Sequence, residues 1–180
     1  MTDSPYSRRT TCRACDNSTL HTFLSLGPQP LANALPSDAA EFDAEQKYPL
    51  DVALCTTCGL VQIHDVIDPE VLFGHYLYVT GVSSTIHDHN RGYADDIISR
   101  LDLNGDDTVV EIASNDGSLL QRFKERGIGV LGVEPARNIA AMATEAGIPT
   151  ENVFFGEAVG LELRAKYGPA AAIMANNVLA

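Results

Sequence analysis

The sequence predicts an α/β chain in two parts, a small N-terminal β module pinned by four cysteines and then a doubly wound, Rossmann-like series. Three observations carry this. The four cysteines form two C-x2-C pairs, Cys12/Cys15 and Cys55/Cys58. From Thr108 onward, short β-branched runs alternate with segments of helical period. The first of these runs, Thr108 to Ala113, stops abruptly at Ser114-Asn115-Asp116-Gly117, and Leu119, Leu120 and Phe123 then recur at helical spacing up to Gly127.

Size and charge narrow the function classes. The chain has 180 residues, 45% of them hydrophobic, enough for one medium domain or a small one plus part of a larger one. Twelve Lys and Arg against 24 Asp and Glu give a net charge of −12, which argues against nucleic acid or an anionic membrane as partner. The opening MTDSPYSRRT has no apolar signal core, and no stretch of about 18 apolar residues occurs. A cytoplasmic protein is therefore the expectation.

Two C-x2-C knuckles can converge four thiolates on a tetrahedral ion with Zn–S bonds of about 2.3 Å, so Cys12, Cys15, Cys55 and Cys58 are the expected zinc ligands. Four protein ligands leave no open position, and the role is structural. Disulfides or redox C-x-x-C motifs are the competing reading, opposed by the absence of a secretory signal and of a thioredoxin-like βαβ unit around either pair. Between the knuckles, Phe23 to Asn33 reads as a short strand entering a Pro-bounded loop, and Leu35 to Glu45 as an acidic surface excursion. Tyr48 to Leu54 alternates as a strand into the second knuckle, and Gly59 to Ile63 leaves it as another.

From Leu72 to Ser84 the chain is aromatic, glycine-punctuated and hydroxyl-rich, which suits either a segment lining a site or plain interdomain packing. Ser84 and Thr85 are candidate N-caps of a helix whose face holds Ile86, His89, Tyr93, Ile97 and Leu101. His87 and His89, two apart, do not share a helix face and form no metal pair. His21, His64 and His75 read as loop or packing residues. The predicted series then runs strand Thr108 to Ala113, helix to Gly127, strand Val130 to Val133, helix Pro135 to Ala146, strand Asn152 to Phe155, helix to Tyr167 and strand Ala171 to Ala175.

In an open parallel sheet the ligand lies beyond the carboxyl ends of the strands, facing the turn after the first strand. That turn offers Glu111, Ser114, Asn115, Asp116 and Gly117. One glycine is too few for the G-x-G-x-x-G that lets bare backbone approach a pyrophosphate. Carboxylates suit instead a ligand with an amine and a cationic centre, and S-adenosylmethionine is such a ligand. Glu134 ends the second strand about 20 residues beyond the turn, where a carboxylate can take ribose hydroxyls, and Pro135 fixes the following turn. Phe155 and Gly156 are candidates for the adenine floor, and Asn176 continues the crevice.

With these motifs in order, CRAC, SLGPQPLAN, PLDVALCTTCGLVQ, VVEIASNDGSLL, GVEPA, FFGEA and ANNVLA, the chain resembles the zinc-containing nucleotide-sugar C-methyltransferases from Cys12 to Ala180. The resemblance implies a zinc-binding domain over 1–79 and, over 80–180, the first part of a Rossmann-like class I methyltransferase domain. It implies S-adenosylmethionine and structural zinc as cofactors and a dTDP-linked 3-keto-6-deoxysugar, methylated at C3, as substrate. Tyr76 matches the family's aromatic linker and is the implied sugar contact, with Tyr78 close enough to dispute it.

The family's proton-abstracting His lies beyond Ala180, so a fragment without turnover of its own is the expectation. Two other classes stay open. One is a zinc-ribbon interaction module on a non-catalytic nucleotide-binding fold, and the other is an NAD-dependent sugar oxidoreductase. The oligomeric state is open, and a monomer is compatible with the sequence.

Overall fold

The computed structural model describes residues 5–178. The first four residues, and Leu179 and Ala180 at the end of the ANNVLA motif, lie outside the described residues. The chain divides between Leu72 and Phe73 into two compact units. Among the described residues no helix is long and apolar enough to cross a membrane.

The first unit is built from short antiparallel strands. Strand β1 (Tyr6–Arg8) pairs with β5 (Asp65–Ile67), and β2 (Leu20–Pro30), β3 (Lys47–Cys55) and β4 (Val61–Ile63) form a three-stranded sheet in that order. The short strand and Pro-bounded loop expected at Phe23 to Asn33 is instead an 11-residue strand. It tolerates Pro28 and Pro30 because β2 is an edge strand, and register shifts at Thr22/Leu24 and Ser25/Pro28 absorb the irregularity. The acidic excursion holds a 3₁₀ turn, Ala39–Ala44, capped by the Asp38 carboxylate accepting from the Ala40 N–H.

Among its described residues this unit has almost no apolar core; the buried hydrophobic ones are Cys12, Ala53 and Cys55. Buried polar side chains do the tying. The Asp65 carboxylate accepts from Tyr6 Oη at 2.8 Å, Arg8 at 3.1 Å and the Asp51 N–H at 3.1 Å. Gln62 accepts from the Arg13 N–H at 2.8 Å and donates to the Thr11 carbonyl at 3.3 Å, fixing the first knuckle to β4. His64 bonds Thr22 Oγ1 at 2.9 Å and the Arg9 carbonyl at 3.1 Å. A module this small needs such ties and a metal, because too little apolar surface is buried to offset chain entropy.

The second unit is Rossmann-like. After α1 (Pro69–Phe73), which bridges the boundary, and α2 (Ser84–Leu101), come β6 (Thr108–Ile112), α3 (Leu120–Lys124), β7 (Gly129–Val133), α4 (Arg137–Glu145), β8 (Thr150–Glu151), α5 (Glu157–Tyr167) and β9 (Ala172–Met174). The strands are all parallel, in the order β8-β7-β6-β9. The strand order reverses between β6 and β9, which is where such sheets open a ligand crevice. Val109, Leu120, Phe123, Ile148 and Met174 form the core with Ala94 of α2. The expected helical face of α2 included Leu101, which is exposed; Asp102 adopts a left-handed conformation and Leu103 packs on the core instead.

The third strand also differs from expectation. Asn152 to Phe155 reads as an apolar run, yet the strand is Thr150–Glu151, paired with Gly132 and Val133. The Asn152 side chain donates to the carbonyls of Glu134 at 2.7 Å and Pro135 at 2.9 Å, which turns the chain out of the sheet and leaves Phe154 and Phe155 exposed. Residues 73–79, expected with the first unit, lie in the second, where the Arg137 N–H donates to the Gly74 carbonyl at 3.1 Å.

Gly132 sits in the middle of this packing. A Cβ there would lie 2.5 Å from Ser114 Oγ and 3.0 Å from Thr150 Oγ1. Gly132→Ala is expected to destabilise the second unit by about 1–3 kcal/mol through overpacking, read as a lowered midpoint in urea unfolding.

Candidate metal centre and cofactor crevice

Each knuckle turns back on itself tightly. The Asp16 N–H donates to the Cys12 carbonyl at 3.1 Å, and the Gly59 N–H to the Cys55 carbonyl at 2.8 Å. The four thiol sulfurs, all free, lie within 4.8 Å of one another. Cys12 and Cys58 Sγ are 3.5 Å apart, and Cys15 and Cys55 Sγ 3.7 Å. A tetrahedral zinc with bonds of about 2.3 Å sets its sulfurs about 3.8 Å apart, so the cluster fits the ion and is too wide for disulfides. The Ala14 N–H points at Cys12 Sγ from 3.4 Å and holds that thiol below its ordinary range, and the backbone at Cys58 holds Cys55 down to about 6. Against their own backbone donors, burial and the neighbouring thiols push Cys15 up to about 12 and the Cys12 thiol pushes Cys58 up, so two of the four are held toward thiolate.

The crevice of the second unit begins at the turn after β6. Ala113 has φ 53°, Asn115 φ 51° and Gly117 φ 74°. Left-handed conformations at non-glycine residues are uncommon and gather where a chain is shaped around a ligand. Asn177, beyond β9, repeats this with φ 58°. Glu134 accepts from the Asn115 N–H at 2.9 Å and the Ala136 N–H at 2.8 Å, so its buried carboxylate holds two turns together. Burial raises its pKa, against the pull of those two donors.

Between the ends of β6 and β9 lies a cavity of about 290 Å³. Glu111, Ser114, Asn115 and Asn176 line it, joined by Tyr78 and Thr80 from the segment before α2 and by His89, Asn90 and Tyr93 of α2. No Lys or Arg is among the lining residues. Glu111 is only 6% exposed, and its Oε2 has no hydrogen-bond partner among the described residues. Burial pushes its pKa up to about 8; the Asn176 hydrogen bond opposes this, and Asp116 and Glu134 add to it. A buried acid with an unused oxygen and no cationic neighbour in the cavity is suited to a ligand that brings its own positive charge.

Asp116, Gly117, Glu134, Pro135, Phe155, Gly156 and Tyr76 do not line this cavity. Asp116 accepts from the Gly81 and Ser118 N–H groups at 2.9 and 3.2 Å, and Gly117 packs on Ile148. Phe155 is exposed, and Gly156 precedes the first turn of α5. Tyr76 packs its ring near Phe73, with centroids 6.1 Å apart, while Tyr78 faces the cavity. Sequence reasoning named neither Asn90 nor Ser118 as a site residue, although Ser118 lies in the VVEIASNDGSLL motif, and took Thr80 only as part of the segment before α2; a polar Asn90 beside the apolar face of an amphipathic helix was the available signal.

The raised Glu111 pKa has a stability consequence. The folded chain keeps the proton where the unfolded chain has lost it, so this contribution is full below pH 4.5 and is lost as pH rises toward about 8. Thermal midpoints of the ligand-free chain should fall across that window through this group, and Glu111→Gln should flatten the fall and raise the midpoint at pH 8. An unchanged profile would show that Glu111 is ionised at its ordinary pKa.

Residues 12–73 match the family described as "Putative zinc binding domain". Over 157 residues, 87% of the chain, the sequence is 39% identical to the C-methyltransferase NovU of Streptomyces niveus. The match covers 37% of that relative, so the chain spans little more than a third of its length. Residues 12–73 are thus similar to this zinc-binding family, and most of the chain is similar to part of a C-methyltransferase.

Proposed function

We propose that this chain supplies the structural zinc unit and the cofactor crevice of an S-adenosylmethionine-dependent C-methyltransferase. The proposed substrate is a nucleotide-linked keto-deoxysugar methylated at a carbon α to its keto group; C3 of the 3-keto sugar that the resemblance implies is itself the carbonyl carbon, bears no proton and is not the nucleophile of such a reaction. The observation that carries this reading is the cavity at the reversal of strand order, lined by Glu111 without a cation and shaped by left-handed residues at both strand ends. The similarity to a C-methyltransferase supports the reaction class.

When bound, S-adenosylmethionine supplies an electrophilic methyl group on a positively charged sulfur. Carbon methylation needs a carbon nucleophile, and a sugar provides one when a base removes the proton α to its keto group. Were the cofactor bound beside it, that carbon would take the methyl group, and the sulfur would leave as the neutral thioether. Holding the two reactants in line is most of what the protein contributes. In this reading Glu111 takes the cofactor's cationic end, releasing its proton, and Asn176 fixes the carboxyl group's orientation. Ser114 and Asn115 shape the turn against the adenosyl moiety, Glu134 holds that turn through the Asn115 N–H, and Tyr78 closes the side from which the sugar approaches. Cys12, Cys15, Cys55 and Cys58 hold a zinc with no open position, so the metal braces the first unit and takes no part in the transfer.

Two measurements test this. Elemental analysis of the reduced chain should give one zinc per molecule, and Cys55→Ser should unfold the first unit, because ligation and folding are coupled in small metal modules. A metal-free chain whose first unit stays folded would refute the metal assignment. Calorimetry should show binding of S-adenosylhomocysteine and none of NAD, with Glu111→Gln weakening the former by about tenfold, the scale of one charged hydrogen bond. Binding of NAD alone would favour the oxidoreductase reading.

A further inference from the structure

Among the described residues the segment 74–82 pairs with no neighbouring strand, and side chains of the second unit hold five of its backbone polar groups. Asn138, in the first turn of α4, takes both polar groups of one residue: its Oδ1 accepts from the Tyr76 N–H at 3.1 Å and its Nδ2 donates to the Tyr76 carbonyl at 2.6 Å. Asn115 repeats the device, accepting from the Thr80 N–H at 2.8 Å and donating to the Tyr78 carbonyl at 3.0 Å. Asp116 accepts from the Gly81 N–H at 2.9 Å. The approach there is close: a Cβ on Gly81 would lie 2.4 Å from Asp116 Oδ2. The segment is thus a strap tied by side chains at three points, besides the backbone bond from the Arg137 N–H to the Gly74 carbonyl at its start.

The strap carries Tyr78 and Thr80, which form one wall of the cavity. Two of the ties come from the turn that shapes the crevice. The third, Asn138, lies outside it. We propose that Asn138 is a positioning residue for cofactor binding, acting through Tyr76 to keep the strap closed against the crevice; this rests on the reading of that crevice as the cofactor site.

Strap closure and ligand binding are linked. If only a fraction of molecules holds the strap closed, the apparent affinity falls by that fraction, and loss of the Asn138 tie lowers the fraction. By reciprocity, a ligand that needs the wall in place must slow the opening of the strap. An amide that takes both backbone groups of a residue gives two hydrogen bonds at a single point, each of modest net strength, so the coupling is modest in size.

The test uses the full chain, with hydrogen exchange read at individual amides and S-adenosylhomocysteine as the probe. Asn138→Ala is chosen because alanine is the better helix former, so α4 is not weakened by it. The amides of Tyr76 and Thr80 are expected to exchange about 3- to 10-fold faster in this variant, while those of β6 and α4 stay as they are. Affinity for S-adenosylhomocysteine is expected to fall by a similar factor, and Asn138→Asp, which keeps the acceptor for the Tyr76 N–H, to recover part of both. Saturating ligand should slow exchange at Thr80 and Gly81 in the parent chain.

Unchanged exchange at Tyr76 and Thr80 in Asn138→Ala overturns the strap. Faster exchange with unchanged affinity overturns the coupling. Faster exchange in the variant, with no binding of the probe by the parent chain, overturns the cofactor reading of the crevice and with it this role, while leaving the tie itself standing.

Discussion

The turn from Ala113 to Gly117 is the constraint on which the second unit depends. It must reverse the chain at the end of β6 without adding bulk, and it does so by placing three residues in left-handed conformation. Backbone strain of this kind costs about 1–3 kcal/mol per non-glycine position and persists only when neighbours hold it. Glu134 supplies that hold through the Asn115 N–H, and Ile148 presses on Gly117 so closely that a Cβ there would lie 2.9 Å away. The turn then passes its rigidity outward, since the Asn115 and Asp116 side chains fasten the strap. One short stretch thus links the sheet, the second strand's end and the wall of the crevice.

The two units solve the problem of stability in different ways. The second buries a continuous apolar core between sheet and helices, with Phe123, Leu120 and Ile148 fully enclosed. The first replaces a core with polar ties around Asp65, Gln62 and His64, and with four thiols gathered to the spacing of a metal tetrahedron. Hydrogen bonds of this number give modest net stability in water, whereas metal ligation contributes folding energy directly. In the proposed reading the first unit is accordingly the part of the chain whose integrity depends on metal.

What the sequence made legible was local. The knuckles follow from C-x2-C spacing, and the parallel series from alternating periodicity, because both patterns are set by residues close together in the chain. Glu111 was visible as an acid at a strand end and stands in the crevice. Asn115 and Asp116 were visible as polar turn residues facing a ligand, but most of their hydrogen bonds go to the strap 35 residues earlier, a partner that no local pattern announces. The same holds for β1 and β5, strands of three residues that pair over a long interval because Asp65 gathers Tyr6, Arg8 and Asp51. The strand expected at Asn152 to Phe155 failed because apolar character was read as sheet, while the Asn152 amide had a stronger use at the carbonyls of Glu134 and Pro135.

Whether the opening between β6 and β9 receives the cofactor, as proposed, is tested most directly by chemical-shift mapping of the isotope-labelled chain during titration with S-adenosylhomocysteine. The largest shifts are expected at Tyr78, Glu111, Ala113 and Asn176, saturating together at one ligand per chain. Shifts confined to the first unit, or to the opposite ends of the strands near Thr108 and Gly129, would contradict that proposal.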